Sequence, residues 1–236
     1  MMQADFQNHP HAFWQKIVPP GTYAAAPQGG HRTFYPAALP DRRQLALPIR
    51  VLSGGKTALA SLIVNQASFH VVDTLAAGLA AKAAAFRPDV VVGLPTLGLT
   101  LAAQLARALG HSRYVPLSTS RKFWYDEDRS VALRSVTSPG QEKRLYVDPR
   151  MLPLLEGKRV FLVDDVISSG SSILASLRLL ELCGIEPAAI GAAMLQTTRW
   201  RSRLAEDYPA LADRIVGVLQ TPALAATPEG GWLPET

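Results

Sequence analysis

Cysteine is almost missing from this chain. Cys183 is the single one, so an internal disulfide framework is excluded. It stands in an apolar helical stretch, where a buried thiol is expected rather than a nucleophile. Long hydrophobic runs are also lacking: Asp73, Lys82 and Arg107 interrupt the most apolar stretches, and no membrane span is expected. Met1–Pro10 is polar and has no apolar signal core, which together with the lone thiol suggests a cytoplasmic setting. The five histidines are dispersed without metal-ligand spacing. No Gly-x-Gly-x-x-Gly run opens a helix, and no Ser–His–Asp set stands out. Ser53-Gly-Gly-Lys-Thr57 resembles the end of a nucleotide-binding P-loop, but its required first glycine falls on Arg50.

What is present suits a folded enzyme-sized chain. The 236 residues fit one α/β domain with a small extra element. An apolar fraction of 48% against 18% charged residues can bury a core, which excludes disorder as the default. The net charge of +5 suits an anionic ligand. Basic residues are scattered, with Arg42–Arg43 and the set Arg199, Arg201, Arg203 the densest. Both groups read as solvated surface, so a nucleic-acid partner is not expected.

Three zones differ in character, and no internal repeat is visible. Residues 1–67 are rich in Pro, Gly and aromatics. Phe13, Trp14 and Ile17 suggest one short helical face, and Thr33–Tyr35 and Gln44–Arg50 read as strands around a turn at Pro40–Asp41. Leu59–Val64 is ambiguous between strand and helix. Residues 68–220 alternate. Phe69–Phe86, Leu99–Leu109 and Ser171–Cys183 read as helices, the last two closed by Gly110 and Gly184. Val90–Leu94, Tyr114–Leu117, Arg159–Val163, Ala188–Leu195 and Ile215–Leu219 read as strands, and Val131–Val136 with Arg144–Val147 as a strand pair. This order predicts an α/β fold, a mainly parallel twisted sheet with helices on both faces. Residues 221–236 show little pattern and read as a tail.

One segment concentrates chemistry. In Val160-Phe-Leu-Val-Asp-Asp-Val-Ile-Ser-Ser-Gly-Ser-Ser172, a buried strand runs into two adjacent carboxylates, Asp164 and Asp165. A loop of small residues follows, and then a helix. Ligands of open α/β sheets bind at the carboxyl ends of strands. The hydroxyls of Ser168, Ser169, Ser171 and Ser172 and the free N–H groups of the helix start make an anion site, and Gly170 lets the backbone come close. Carboxylates beside a phosphate make sense when the ligand also offers hydroxyls to them. A ribose 5-phosphate does both.

Val160–Ser172 resembles the 13-residue signature with which type I phosphoribosyltransferases bind 5-phosphoribosyl-1-pyrophosphate (PRPP), with serines where threonines are more usual. The resemblance extends over about residues 69–196. It implies transfer of the phosphoribosyl group to a nitrogenous base, and Asp164, Asp165, Ile167, Ser168, Ser169, Gly170, Ser171 and Ser172 as PRPP contacts. Gly93-Leu-Pro-Thr-Leu-Gly98 resembles the family's pyrophosphate loop, which adds Pro95, Thr96, Leu97 and Gly98; Leu97 stands where many members have Lys or Arg. Mg²⁺ is implied with PRPP, held by Asp164 and Asp165 indirectly through PRPP hydroxyls or water. Ser118–Arg129 sits where the family has its mobile catalytic loop, so Arg121 and Lys122, with Asp165, are the implied catalytic residues. The Arg-Lys pair is similar to the adenine and xanthine branch and its relative, the purine repressor, and implies a purine acceptor. The N-terminal zone takes the place of the family's base-contacting hood. A homodimer is a further implication. The other implied reading is a non-catalytic PRPP-binding regulator, against which the N-terminal zone lacks a helix–turn–helix pattern.

Overall fold

Val160–Val163 is a run of four apolar residues with no polar alternation, as a strand covered on both faces requires. In the computed structural model, which describes residue 6 and residues 9–125, 127–133 and 143–235, it lies in the middle of a seven-stranded sheet. The chain first forms β1 (Ile17–Val18), β2 (Phe34–Ala38), β3 (Gln44–Val51) and β4 (Thr57–Ala60). There follow α1 (Phe69–Ala83), β5 (Val90–Gly93), α2 (Gly98–Ala108), β6 (Val115–Ser118), β7 (Ser130–Leu133) and β8 (Lys143–Val147). Then come β9 (Val160–Ile167), α3 (Ser171–Leu182), β10 (Pro187–Gln196), α4 (Arg199–Asp207) and α5 (Pro209–Ala212). The last strands are β11 (Ile215–Thr221), β12 (Ala223–Ala226) and β13 (Trp232–Pro234).

The large sheet has the order β11-β10-β9-β5-β6-β8-β7. From β11 to β6 all pairs are parallel; β8 and β7 add an antiparallel edge. Side chains alternate across β9. Phe161 and Val163 join the core under α1 and α2, while Val160 and Leu162 join the core under α3, α4 and α5. Helices therefore cover both faces, as the alternation predicts. Close packing also constrains β10: a Cβ at Gly191 would come 2.5 Å from the Phe161 ring.

The α1 helix and the short 3-10 turn after it, Phe69–Phe86, reach 18 residues at a mean hydropathy of 1.2, so by length and composition this segment passes for a membrane span despite Asp73 and Lys82. Its apolar stripe, Val71, Val72, Leu75, Ala76 and Leu79, is instead buried in the core, with α1 packed on β10 and β11. Ser68 caps its start, and Lys82 reaches across to donate to the Gly217 carbonyl at 2.6 Å.

Two expectations fail. Phe13, Trp14 and Ile17 do not form a helical face. Trp14 has a φ of +62°, which breaks any helix, and its indole N–H donates to the Ser61 carbonyl at 3.0 Å. Phe13 and Trp14 are buried in the core, while Ile17 pairs with Leu45 as β1. Nor is 221–236 a tail. β12 pairs with β4, β13 pairs with β12, and Trp232 bridges His31, so a second sheet runs β1-β3-β4-β12-β13 with β2 on the other edge of β3. Short strands of small residues carry weak period-two signals, which is why Ala223–Ala226 was not legible. The ambiguous Leu59–Val64 divides between β4 and a 3-10 turn at Val64–Gln66. The P-loop-like Ser53–Thr57 is a hairpin connection, with Gly54 and Gly55 at positive φ. Residues 134–136 of the expected strand, Asp126, and most of Met1–Pro10 lie outside the described residues.

Leu224 of β12 is fully buried. Leu224→Ala is expected to cost about 2–5 kcal/mol in urea denaturation, as a buried leucine does. A cost within error of zero would restore the tail reading.

Candidate functional site

Parallel pairing puts the carboxyl ends of β5, β6, β9, β10 and β11 on one edge of the sheet. The turn Leu94–Leu97, the loop after β6, the turn Ser168–Gly170 and the segment after β10 all leave from that edge. β5 and β9 are neighbours, so the first and third of these stand side by side.

The acidic pair does not end its strand as expected. β9 continues to Ile167, with Asp164 opposite Ala192 and Ile167 opposite Leu195 of β10. The other neighbour stops earlier. The last β5 rung pairs Gly93 with Val163, and the Leu94 N–H donates to the Val163 carbonyl at 2.9 Å. Beyond it β9 has a notch on its β5 side, and the start of α2 fills it. Gly98 sits so close that a Cβ there would lie 2.9 Å from both Cα and Oδ1 of Asp164. Glycine is therefore required by the approach of helix to strand.

Asp164 is buried at 7% exposure and lies against the Gly98 turn rather than facing solvent. Its Oδ1 accepts from the Asp165 N–H at 2.9 Å. Burial, then the charge and hydrogen bond of Asp165, hold the Asp164 carboxyl well above the usual carboxylate range. Burial also raises Asp165, against hydrogen bonds that lower it. Burial thus raises both carboxyls, Asp164 the more strongly, and the half-buried Asp165 is the more accessible member of the pair.

The serine turn leads straight into α3. Ser169 and Ser171 share a hydroxyl–hydroxyl bond of 3.0 Å, and the Ser171 N–H donates to Ser169 Oγ at 3.4 Å. Ser168 is partly exposed and Ser172 exposed, whereas the Ile167 side chain is buried, so only its backbone faces the turn. Gly170 has a φ of +78°, in the region that favours glycine. In the neighbouring turn Pro95 and Leu97 are half-buried and Thr96 is exposed; the Pro95–Thr96 peptide is cis.

Arg121 and Lys122 are exposed at the start of the loop that leaves β6, on the same edge but two strands from β9. The aromatic residues after them turn toward the β8 side. The Trp124 indole donates to Asp148 at 3.3 Å and lies under the Arg150 guanidinium, 4.3 Å from ring centre. Tyr125 packs 6.0 Å from Tyr146, and Phe123 is 94% exposed. Arg150 forks onto Asp148 and draws its carboxyl down to about 2.

Two features escaped sequence reasoning. Arg203 of α4, read as solvated surface, donates to Ser171 Oγ at 2.9 Å. And a cleft of about 640 Å³ opens beside the ends of β10 and β11, walled by Thr197, Thr198 and Trp200 on one side and by Pro222, Ala223 and Glu235 of the second sheet on the other. The spacing Arg199-x-Arg201-x-Arg203 was the available signal for the first. The cleft left none, because its wall comes from the presumed tail.

The raised carboxyl of Asp164 sets a pH dependence. The folded state binds a proton there more tightly than the unfolded chain, so this contribution to stability is full below the ordinary aspartate value, about 3.9. It is lost as pH rises through the elevated folded value. Thermal melting of the ligand-free protein is expected to show this decline. Asp164→Asn should remove it and raise Tm at neutral pH, at about 2–4 °C per kcal/mol. A variant melting lower than the parent at neutral pH would contradict a carboxyl raised by burial at this position.

Residues 60–222 match the model of the phosphoribosyl transferase domain. The adenine phosphoribosyltransferase of Sphingopyxis alaskensis is 32% identical over 111 residues, covering 47% of this chain and 56% of the relative. The hypoxanthine/guanine phosphoribosyltransferase of Methanosalsum zhilinae is 34% identical over 110 residues, covering 47% and 53%. The chain thus spans about half the length of the curated relatives it matches. Among solved structures, the APRTase of Giardia lamblia complexed with 9-deazaadenine superposes with a TM-score of 0.58 at 20% identity, over 74% of this chain and 93% of that one, a likeness of fold. With the family model covering most of its length, the chain belongs to the phosphoribosyl transferase domain family.

Proposed function

We propose that the protein transfers the 5-phosphoribosyl group of PRPP to a nitrogenous base, a purine, and releases pyrophosphate. The observation that carries this reading is the juxtaposition of two strand-to-helix turns at the β5–β9 step, with Asp164 against the first of them and the more accessible Asp165 next to it on β9. Each turn offers backbone N–H groups to an anion, and the accessible carboxylate offers acceptors to sugar hydroxyls. A ligand with a phosphate, a diol and a second anionic group matches that order.

In this reading the serine turn holds the 5′-phosphate and Asp165 accepts from the ribose hydroxyls. Asp164 acts through Asp165, fixing its backbone by the 2.9 Å hydrogen bond. The turn Leu94–Gly98 takes the pyrophosphate through backbone N–H groups and Thr96, since Leu97 brings no charge. A ring nitrogen of the base attacks C1 as the C1–pyrophosphate bond breaks, through an oxocarbenium-like transition state. Catalysis is then positioning together with stabilisation of charge growing on the leaving group. Arg121 and Lys122 serve the second purpose when the loop after β6 closes over the site and excludes water. The acceptor enters by the cleft between the two sheets, past Thr198 and Trp200.

Mg²⁺ fits as a companion of the substrate rather than as a resident of a protein cage. Among the described residues no group of three or more His, Cys, Asp or Glu is placed to hold a metal. Such a cation would come with water and substrate oxygens and would meet Asp165 through them, the enclosed Asp164 supporting Asp165 from behind. When bound it neutralises pyrophosphate charge. A homodimer and a cytoplasmic setting belong to the same reading, and the first is open to size-exclusion chromatography.

Incubation with PRPP, Mg²⁺ and each purine base in turn should yield a nucleoside 5′-monophosphate and pyrophosphate; silence with every base would remove the proposal. Asp164→Asn combined with Asp165→Asn is expected to abolish PRPP binding in calorimetry while circular dichroism stays native. Arg121→Ala with Lys122→Ala should lower kcat by about 10²-fold, the scale of a lost transition-state contact, and change PRPP affinity far less. The opposite pattern would take the loop out of the catalytic step.

A further inference from the structure

The serine turn has no charged group of its own to meet a dianionic phosphate. α4 lies directly against it. A Cβ at Gly170 would sit 3.2 Å from Leu204 Cδ1 and 3.4 Å from Trp200 Cβ, so helix and turn are in close contact. Two ion pairs hold α4 in place from elsewhere: Arg178 of α3 with Asp207 at 3.1 Å, and Arg201 with Asp213 at 2.7 Å. Arg203 differs from both. Among the described residues it has no carboxylate partner, and its guanidinium Nη1 donates to Ser171 Oγ at 2.9 Å. Ser171 Oγ in turn meets Ser169 Oγ at 3.0 Å, which makes a chain from guanidinium through two hydroxyls of the turn.

From this geometry we propose that Arg203 is a binding residue for the 5′-phosphate, supplying from α4 the positive charge that the turn lacks. The proposal rests on the sugar-phosphate reading of the serine turn. With a phosphate in the turn, the serine hydroxyls donate to its oxygens. Arg203, one hydroxyl away, directs a second N–H to the same anion. Arginine suits the position because its charge is permanent and its several N–H groups allow it to keep Ser171 while reaching the phosphate. The contact is the same in ground state and transition state, since the 5′-phosphate does not react, so its loss acts on substrate binding rather than on turnover.

The test compares the wild-type protein with Arg203→Gln, Arg203→Lys and Arg178→Ala. Steady-state kinetics with PRPP are combined with calorimetric titration of ribose 5-phosphate and of ribose. Arg203→Gln should raise KM for PRPP and the Kd of ribose 5-phosphate by about tenfold or more, the scale of a charged hydrogen bond, with kcat within about twofold. Arg203→Lys should recover part of that loss. Arg178→Ala, which only loosens the α3–α4 brace, should lower Tm and leave KM unchanged. Three results would overturn the proposal: an unaltered Kd in Arg203→Gln, a loss confined to kcat, or an equal loss in Arg178→Ala, which would make Arg203 a brace. If the wild-type protein itself fails to bind ribose 5-phosphate better than ribose, the site reading fails first and this proposal with it. Equal binding by wild type and Arg203→Gln removes this proposal alone.

Discussion

A difference in strand length governs the site. β5 gives its last rung to Val163, while β9 stays paired with β10 as far as Ile167. In the space that β5 vacates, one edge of β9 is free to meet a helix start instead of a strand. Gly98 enters there, and its lack of a side chain lets α2 approach Asp164 within van der Waals limits. Everything chemical follows from that step. It brings two strand-to-helix turns together, encloses one carboxyl and leaves the next more accessible. A longer β5 would cover Asp164 with a hydrogen-bonded ladder and push the turns apart.

The enclosed carboxyl is an example of chemistry set against stability. An apolar group at 164 would pack without a buried carboxyl, yet it would leave the Asp165 N–H without the Asp164 Oδ1 acceptor. Natural sites keep such groups when positioning outweighs the stability lost. The aromatic run of the β6 loop follows the same logic at lower cost. Trp124 binds that loop to Asp148 and Arg150 by an exposed hydrogen bond and a cation–π contact, each of modest strength.

Much of this was legible. Apolar runs marked β5, β9 and β10, Ala- and Leu-rich composition marked α1, periodicity marked α2, a glycine stop marked α3, and the acidic pair with its serine turn does stand at a strand-to-helix step. What escaped has physical causes. The end of β9 was misread because apolar character stops at Val163 while the backbone ladder does not; hydrogen bonding is blind to the side chains Asp164 and Asp165. Trp14 was placed on a helix because its spacing from Phe13 and Ile17 fits one, and nothing local announces a left-handed backbone. Arg203 looked like solvated surface because its partner, Ser171, is 32 positions away. Residues 223–234 looked patternless because alanine, proline and glycine carry little hydrophobic alternation.

Those same residues close the second sheet by pairing Leu224 with Ala58, and Trp232 with His31. The partners are separated by most of the chain. Bringing such distant segments together carries a loop-closure entropy that only an already condensed core makes small. The large parallel sheet, whose neighbours are mostly near in sequence, is the natural template. The second sheet lies beside it, so the wall around Pro222 and Ala223 depends on strands from early and late in the sequence.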